Sequence, residues 1–238
     1  MNNWKNAFGK VLKKNFFSID EVENIKDMVF TLTKEEDRKE YIWKFYEPDN
    51  TTVNRIEYFV NHHSGLKNIA NSEKVLNVVN ELMGEESILF KDKINYKYPG
   101  GEGFQPHQDI TAGWGNYTNK HVSFALPLCD TDDENGGIYF GDTITEQLTP
   151  NFTDLTLELD YKLICTSLGD VIFFDSYVPH ASYDNKTKIP RPFLFFTYTP
   201  KAEGDFYEQY HIDKFKNVPP DIYKEKGKSY RSGNTNVE

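Results

Sequence analysis

Apolar residues near the start of the chain recur at helical spacing, whereas those of the second half alternate with polar residues or form short runs. A capping box at 18–21 precedes the first helical stripe, which predicts a helix over residues 19–33. Ser72 precedes the second stripe and Gly84 follows it, in the positions that an N-cap and a helix stop occupy. The pattern therefore predicts a second helix over residues 73–83.

Strand-like runs separated by Gly, Asp and Asn turns dominate the rest of the chain. They lie near residues 87–98, 121–129, 137–141, 155–166, 170–175 and 191–199. Many short strands after a helical start predict a mostly β fold with flanking helices. We expect one domain over residues 1–238, with a helical part at about 1–85, a β core at about 86–200 and an irregular tail at about 213–238 that has no catalytic role.

Charge and cysteine content exclude several classes of protein. The 238 residues carry a formal net charge of −10, which disfavours nucleic acid or an anionic membrane as a partner, because binding a polyanion requires a basic face. Two cysteines cannot form a disulfide framework, and no apolar run is long enough for a membrane span or a signal peptide. We expect a cytoplasmic protein that acts on a small molecule, and oligomeric state stays open.

Candidate metal ligands occur in two places, His107-Gln108-Asp109 and His180. If the first segment lies on or just past a strand, the period of two puts His107 and Asp109 on one face. His180 follows Pro179 at the end of a predicted strand. Two histidines and one carboxylate are the ligand set of a non-haem iron centre with open coordination positions. The sequence therefore predicts an iron site.

An arginine follows the second ligand at a distance of eleven residues. Arg191 opens an apolar run in which alternation places it on the same face as Phe193 and Phe195. A buried arginine is best satisfied by a planar carboxylate held through two parallel hydrogen bonds. A cosubstrate with two carboxylates would supply one.

Alternation also places Lys93 and Asn95 on the strand face opposite Ile94 and Tyr96. In a barrel with an interior site, Lys93 and Asn95 project towards cosubstrate or substrate, and otherwise they form a solvent face. Trp114 follows the first metal segment closely, where it either walls the pocket or caps the core.

The segments that carry these residues resemble the phytanoyl-CoA dioxygenase family of Fe(II)- and 2-oxoglutarate-dependent oxygenases. The resemblance covers most of residues 88–200 and runs through 91–97, 99–104, 107–109, 134–137, 169–171 and 180–191. It implies a double-stranded β-helix core. It also implies Fe(II) as cofactor, with 2-oxoglutarate and O2 as cosubstrates.

The resemblance and the positions together assign a role to each candidate residue. The catalytic iron ligands are His107, Asp109 and His180; 2-oxoglutarate is held by Arg191, Ser182 and Lys93; the substrate contacts are Asn95 and Trp114. The implied reaction hydroxylates the substrate while 2-oxoglutarate is decarboxylated to succinate and CO2. Related halogenases leave the carboxylate position to chloride, and Asp109 fills that position here, so we expect hydroxylation.

Substrate identity rests on a narrower similarity. Residues 91–97 and 107–114 are similar to the branch of the family that hydroxylates aminoalkylphosphonates, so we expect a small polar metabolite of that kind. An amino acid, a quaternary amine, a natural-product scaffold and an acyl-CoA remain alternatives. Two further classes stay open, a catalytically silent β-barrel that only binds its ligand and a metal hydrolase that needs no 2-oxoglutarate.

Overall fold

The computed structural model of the chain describes residues 9–38, 40–49, 51–142, 148, 160–228 and 230. Within these residues the helices are α1 (Ile19–Leu32), α2 (Ser64–Ala70), α3 (Glu73–Met83) and α4 (Tyr207–Asn217). The strands are β1 (Lys10–Lys13), β2 (Trp43–Tyr46), β3 (Val53–Glu57), β4 (Ser87–Lys97), β5 (Phe104–His107), β6 (Val122–Pro127), β7 (Ile138–Phe140), β8 (Lys162–Leu163), β9 (Val171–Asp175), β10 (His180–Ser182) and β11 (Arg191–Pro200). None of these helices has the length and apolar character that crossing a bilayer requires.

Both predicted helices are confirmed, with ends within one residue of the expected ones. The Ser18 side chain accepts a hydrogen bond from the Glu21 backbone N–H, and the Glu21 carboxylate accepts one from the Ser18 N–H, which completes the capping box of α1. Ser72 caps α3 through its side chain alone, which accepts a hydrogen bond from the Val75 backbone N–H. Gly84 ends α3 at a φ of 79°, a left-handed conformation that glycine adopts without strain.

Two antiparallel sheets form the centre of the molecule and confirm the mostly β prediction. The larger sheet has the strand order β1-β9-β6-β11-β4-β3-β2, and the smaller sheet has the order β5-β10-β7-β8. Helices α1 to α3 flank the larger sheet. The buried hydroxyl of Tyr96 donates to the Val29 carbonyl of α1, and that of Tyr198 donates to the Ala70 carbonyl of α2, so each pairs its polar group while its ring fills the core.

The two faces of β4 separate as alternation predicts. Ile94 and Tyr96 lie in the hydrophobic core against the helices. Lys93 and Asn95 point the other way and line a cavity on the inner side of the larger sheet. The reading in which they form a solvent face is therefore wrong.

Three parts of the predicted organisation differ from the structure. The segment expected to be helical, residues 1–85, also contains β1, β2 and β3. These strands have four or five residues each, which is too short for a clear period. Of the strand expected over residues 155–166, the described part is Lys162–Leu163, and residues 155–159 lie outside the described residues.

The third difference concerns the tail expected to be irregular from about residue 213. Helix α4 continues to Asn217, so the expectation is wrong for the first five residues. The buried residues of α4 are Tyr207, Tyr210 and His211, all in its first half. Residues 213–217 extend the helix without an apolar stripe of their own, so their pattern carries no helical signal.

Candidate iron centre

Two neighbouring strands of the smaller sheet bring the predicted metal ligands together. His107 is the last residue of β5 and His180 the first of β10, and the two are directly paired across the antiparallel ladder. Asp109 begins a short 3-10 turn just past β5, which turns its side chain back towards the histidines. Residues separated by 73 positions therefore meet through sheet register.

Ligand atoms of His107, Asp109 and His180 all lie within 4.8 Å of one another. The Asp109 carboxylate is 3.8 Å from His107 Nε2 and 3.9 Å from His180 Nε2. On the other side of each ring, Nδ1 lies 2.7 Å from the Gln105 carbonyl and 3.0 Å from the Val178 carbonyl, respectively. Backbone acceptors hold the proton on Nδ1 and turn an unprotonated Nε2 towards the carboxylate, as a metal-binding histidine requires.

The charge states of the triad also suit a metal ion. Burial lowers the pKa of His107 to about 3, with the neighbouring His180 acting in the same direction, and burial lowers the pKa of His180. Burial alone would raise the pKa of Asp109, but its electrostatic interactions with His180, Lys93 and other neighbours hold it below its usual value. Neutral imidazoles and an ionised carboxylate are the forms that ligate Fe(II), so the residues fit the ion.

A second group of polar residues forms a subsite for a carboxylate. Arg191 and Lys97 are paired across β11 and β4, and both side chains are buried. Lys97 Nζ donates to Ser182 Oγ at 2.8 Å and to the Tyr183 carbonyl at 2.5 Å, while Arg191 Nε donates to the Asn135 carbonyl at 3.4 Å. Within the described part of the chain, neither cation forms an ion pair with a carboxylate.

Two buried cations side by side disfavour each other's charge. Burial and the proximity of Arg191 lower the pKa of Lys97 to about 7, and burial lowers the pKa of Arg191 to about 10. A bound carboxylate would raise both pKa values again. Arg191 and Ser182 are thus placed together as predicted, whereas Lys97 was not singled out in the sequence although it shares a strand face with Lys93 and Asn95.

A cavity of about 630 Å³ opens beside the triad and the carboxylate subsite. The predicted contacts Lys93, Asn95, Trp114 and Ser182 all line it. Burial and the charge of Lys91 lower the pKa of Lys93 to about 8, and the Lys93 ammonium lies 4.6 Å from the centre of the Phe195 ring. Trp114 does both things that its sequence position allowed, since it is 2% exposed in a small aromatic core and also faces the cavity.

Residues from β3 and α4 form the outer wall of the cavity, and the sequence did not reveal them. Glu57 is fully buried and pairs with Lys214 of α4, and Arg55 Nε lies 3.3 Å from the same carboxylate. These cations, together with Lys91, hold the pKa of Glu57 well below its usual value in spite of burial. Tyr210 lines the cavity as well. The part of the tail that was expected to stand apart from the site therefore belongs to its wall.

The start of α4 is fixed to the larger sheet by the buried Asp92. Its carboxylate accepts backbone N–H groups of Tyr58, Phe59 and Val60 at 2.6 to 2.9 Å. It also accepts the hydroxyl of Tyr207 at 2.8 Å. One carboxylate thus joins the segment after β3, strand β4 and helix α4, which holds the outer wall over the cavity.

Facing sheets, a His-Asp-His triad and an adjacent carboxylate subsite define an iron- and 2-oxoglutarate-dependent dioxygenase. The model of the Phytanoyl-CoA dioxygenase family matches residues 6–141, and the chain belongs to this family. The matched range ends before His180 and Arg191, which the fold brings to the site. The predicted family, the double-stranded β-helix core and the use of Fe(II) and 2-oxoglutarate are confirmed.

Two curated relatives cover nearly the whole chain. The 2-aminoethylphosphonate dioxygenase of uncultured bacterium HF130_AEPn_1 is 34% identical over 96% of this chain and 91% of its own length. The methylphosphonate hydroxylase of Gimesia maris is 31% identical over 90% of this chain and 85% of its own length. Among solved structures, EctD from S. alaskensis with 2-oxoglutarate and 5-hydroxyectoine has a TM-score of 0.72 at 20% identity, and covers 85% of this chain and 77% of its own.

Proposed function

We propose that this enzyme hydroxylates a small organophosphonate, with Fe(II), 2-oxoglutarate and O2. The observation that carries the proposal is the charge of the cavity. In a chain of net charge −10, five cationic side chains line one cavity next to the triad. They are Arg55, Lys91, Lys93, Arg191 and Lys214. Three carboxylates, those of Glu57, Asp109 and Asp213, line the same cavity, so its lining has an excess of positive charge in an acidic protein, which favours anions there.

Arg55, Lys91 and Lys214 surround the Glu57 carboxylate, and the remaining cations of the site divide between two anions. Arg191 and Lys97, with Ser182, suit the distal carboxylate of 2-oxoglutarate, because they are adjacent, buried and without a carboxylate partner within the described chain. The Lys93 ammonium forms no hydrogen bond with another described residue and lies within electrostatic reach of Asp109. We therefore assign Lys93 to the phosphonate instead of to 2-oxoglutarate, with the Asn95 amide beside it.

The remaining residues complete the reaction site. His107, Asp109 and His180 would hold Fe(II), which supplies oxygen activation coupled to the decarboxylation of 2-oxoglutarate when it is bound. The phosphonate held at Lys93 aims an adjacent C–H bond at the metal, and fixed geometry of this kind is what the protein contributes. Trp114 excludes water from the inner end of the cavity.

Two further points of the proposal concern the whole chain. We propose that the chain forms one domain, since both sheets and α4 contribute to a single cavity. We also propose that it acts in the cytoplasm, a compartment in which the free Cys129 and Cys165 stay reduced. The relatives support the substrate class through their names, one for 2-aminoethylphosphonate and one for methylphosphonate.

A mass-spectrometric screen tests the proposed function. The reconstituted enzyme is offered phosphonates, amino acids, quaternary amines and an acyl-CoA, and we expect a gain of one oxygen atom on phosphonates with an equal yield of succinate. Lys93→Met removes the cation proposed for the phosphonate and should raise KM about tenfold or more, the loss typical of a charge-assisted hydrogen bond. Lys14→Met, which removes an exposed cation, is the matched control.

Other outcomes of the screen would identify a different function. Oxygen gain on amino acids or acyl-CoA without any on phosphonates would reject the substrate class. Binding without O2 consumption would indicate a silent binding module, and turnover that needs no 2-oxoglutarate would indicate a metal hydrolase.

A further inference from the structure

Part of the cavity wall is mainly aromatic, although the ammonium groups of Lys91 and Lys214 reach two of its rings. Four aromatic rings and one carboxylate line it, contributed by the segment after the metal turn and by the region of α4. They are Trp114, Tyr117, Phe206, Tyr210 and Asp213. Aromatic faces beside a carboxylate are a surface that attracts a cation and offers nothing to an anion.

Two of these rings already face a cation of the protein itself. The ammonium of Lys91 lies 5.2 Å from the centre of the Trp114 ring and 5.5 Å from that of Tyr210. No cation of the described chain lies over Tyr117 or Phe206, whose ring centres are 5.8 Å apart. Tyr117 and Phe206 are both half-buried and open to the cavity. The faces available to a ligand are therefore those of Tyr117 and Phe206.

The carboxylates that line the cavity also differ in whether they already have a role or a partner. Asp109 belongs to the triad, and Glu57 is surrounded by Lys214, Arg55 and Lys91. Asp213 remains, and it lies next to the available rings, since its carboxylate accepts the Tyr117 hydroxyl at 3.0 Å.

Asp213 is held in place from three sides. Its carboxylate accepts hydrogen bonds from Gln209 at 2.9 Å and from Lys216 at 3.1 Å besides that from Tyr117. The Lys216 ammonium is largely exposed, and an ion pair of this kind stabilises little, so it competes weakly with a ligand cation. The hydrogen bond from Gln209, with those from Lys216 and Tyr117, lowers the pKa of Asp213 and keeps it ionised.

We propose that Tyr117, Phe206 and Asp213 bind a primary ammonium group of the substrate, so that the substrate is an aminoalkylphosphonate rather than an unsubstituted alkylphosphonate. This inference rests on the proposed function and extends it from the phosphonate end to the other end of the molecule. The carboxylate accepts an N–H of the ammonium, and the rings stabilise its charge. Lys93 then binds the phosphonate of a zwitterionic substrate, and Asp213 binds its ammonium group.

The test compares two substrates of equal size, 2-aminoethylphosphonate and propylphosphonate, with the full chain loaded with Fe(II) and 2-oxoglutarate. Asp213→Asn should raise KM for the aminophosphonate about tenfold or more and leave its kcat unchanged, because uniform binding is lost. KM for propylphosphonate should change less than twofold. Asp160→Asn, which removes a carboxylate from an exposed ion pair outside the cavity, should change neither value.

A second variant and a binding measurement separate recognition from folding. Phe206→Leu should raise KM for 2-aminoethylphosphonate severalfold, which corresponds to the loss of one cation–π contact. For the trimethylammonium analogue, which has no N–H to donate, Asp213→Asn should cost less than for the primary amine, and Phe206→Leu should cost as much. Calorimetric titration of each variant with each ligand under anaerobic conditions should rank the dissociation constants in the same order as the KM values.

Two results would overturn the inference. One is equal KM for the two substrates in the unmodified enzyme, and the other is an equal effect of Asp213→Asn on both. Either leaves the proposed function intact as long as phosphonates are hydroxylated. If no phosphonate gains oxygen or binds, the proposed function itself fails.

Discussion

The two halves of the cavity are built in different ways. The half that performs the chemistry rests on paired strands: β5 and β10 position the triad, and β4 and β11 position Lys97 and Arg191. The half proposed to select the amino end of the substrate is formed by Tyr117, Phe206 and Asp213, and the contacts of Glu57 with Lys214 and of Asp92 with Tyr207 hold α4 in place there. Backbone hydrogen bonds between strands position the groups that react, whereas a few side-chain contacts position the groups proposed to select the substrate.

Removal of a triad ligand should produce the largest effect, and this effect should be confined to the half of the cavity that performs the chemistry. His180→Ala should abolish iron retention and lower succinate formation more than about a hundredfold, since changes to groups that merely support ligands already cost 10- to 100-fold. Iron content after gel filtration and succinate yield measure it. His62→Ala, at an exposed histidine, should change neither quantity. Full iron content in His180→Ala would contradict the geometry.

The carboxylate subsite should show a pH dependence with a definite sign. The pKa of Lys97 is lowered to about 7, so Lys97 is charged below this pH and neutral above it. The 2-oxoglutarate carboxylate favours the charged form, and its affinity should therefore be highest near pH 6 and fall by up to about tenfold per pH unit above 7. Anaerobic calorimetry between pH 6 and pH 9 measures the dissociation constant.

Lys97→Met supplies the decisive comparison for this subsite. The variant should bind 2-oxoglutarate weakly at pH 6 and lose most of the pH dependence, whereas Lys120→Met, at an exposed lysine, should retain both affinity and slope. An unchanged slope in Lys97→Met would show that another group titrates.

The smallest effect should come from weakening the contact between Asp92 and Tyr207, which attaches α4 to the larger sheet. Tyr207→Phe removes one of four donors to the buried Asp92 and should lower the free energy of unfolding by about 1 to 2 kcal/mol. The affinity for 2-oxoglutarate should stay unchanged and KM for the substrate should rise, because α4 is loosened while the strands are not. Urea unfolding and the two constants measure this. If the affinity for 2-oxoglutarate fell as much as the affinity for the substrate, the two halves of the cavity would not be independent.

The sequence predicted the first half well for a physical reason. His107, His180 and Arg191 lie at strand ends, where alternation decides which side chains share a face, and Asp109 lies just past the end of β5. The helices α1 and α3 were equally predictable from their caps. Lys97 was within reach of the same argument, since it alternates with Lys93 and Asn95, but only the structure shows its contact with Ser182.

The second half could not be predicted because its residues carry no local signal. Arg55 and Glu57 are on a five-residue strand, and their burial follows from the pairing of β3 with β4. His211 of α4 is 1% exposed because it packs against other segments, and it stacks on the ring of Tyr58 at 4.3 Å. Contacts between segments 150 residues apart decide such positions, and periodicity does not report them.

The position of Asp92 has a consequence for how this enzyme could diversify. The carboxylate fixes α4 at Tyr207, its first residue, whereas the residues that face the cavity follow later on the helix. Substitutions at Asp213 or Asn217 therefore leave this attachment at Asp92 untouched. A combinatorial library restricted to these two positions would explore new substrates on an unaltered oxygen-activating scaffold.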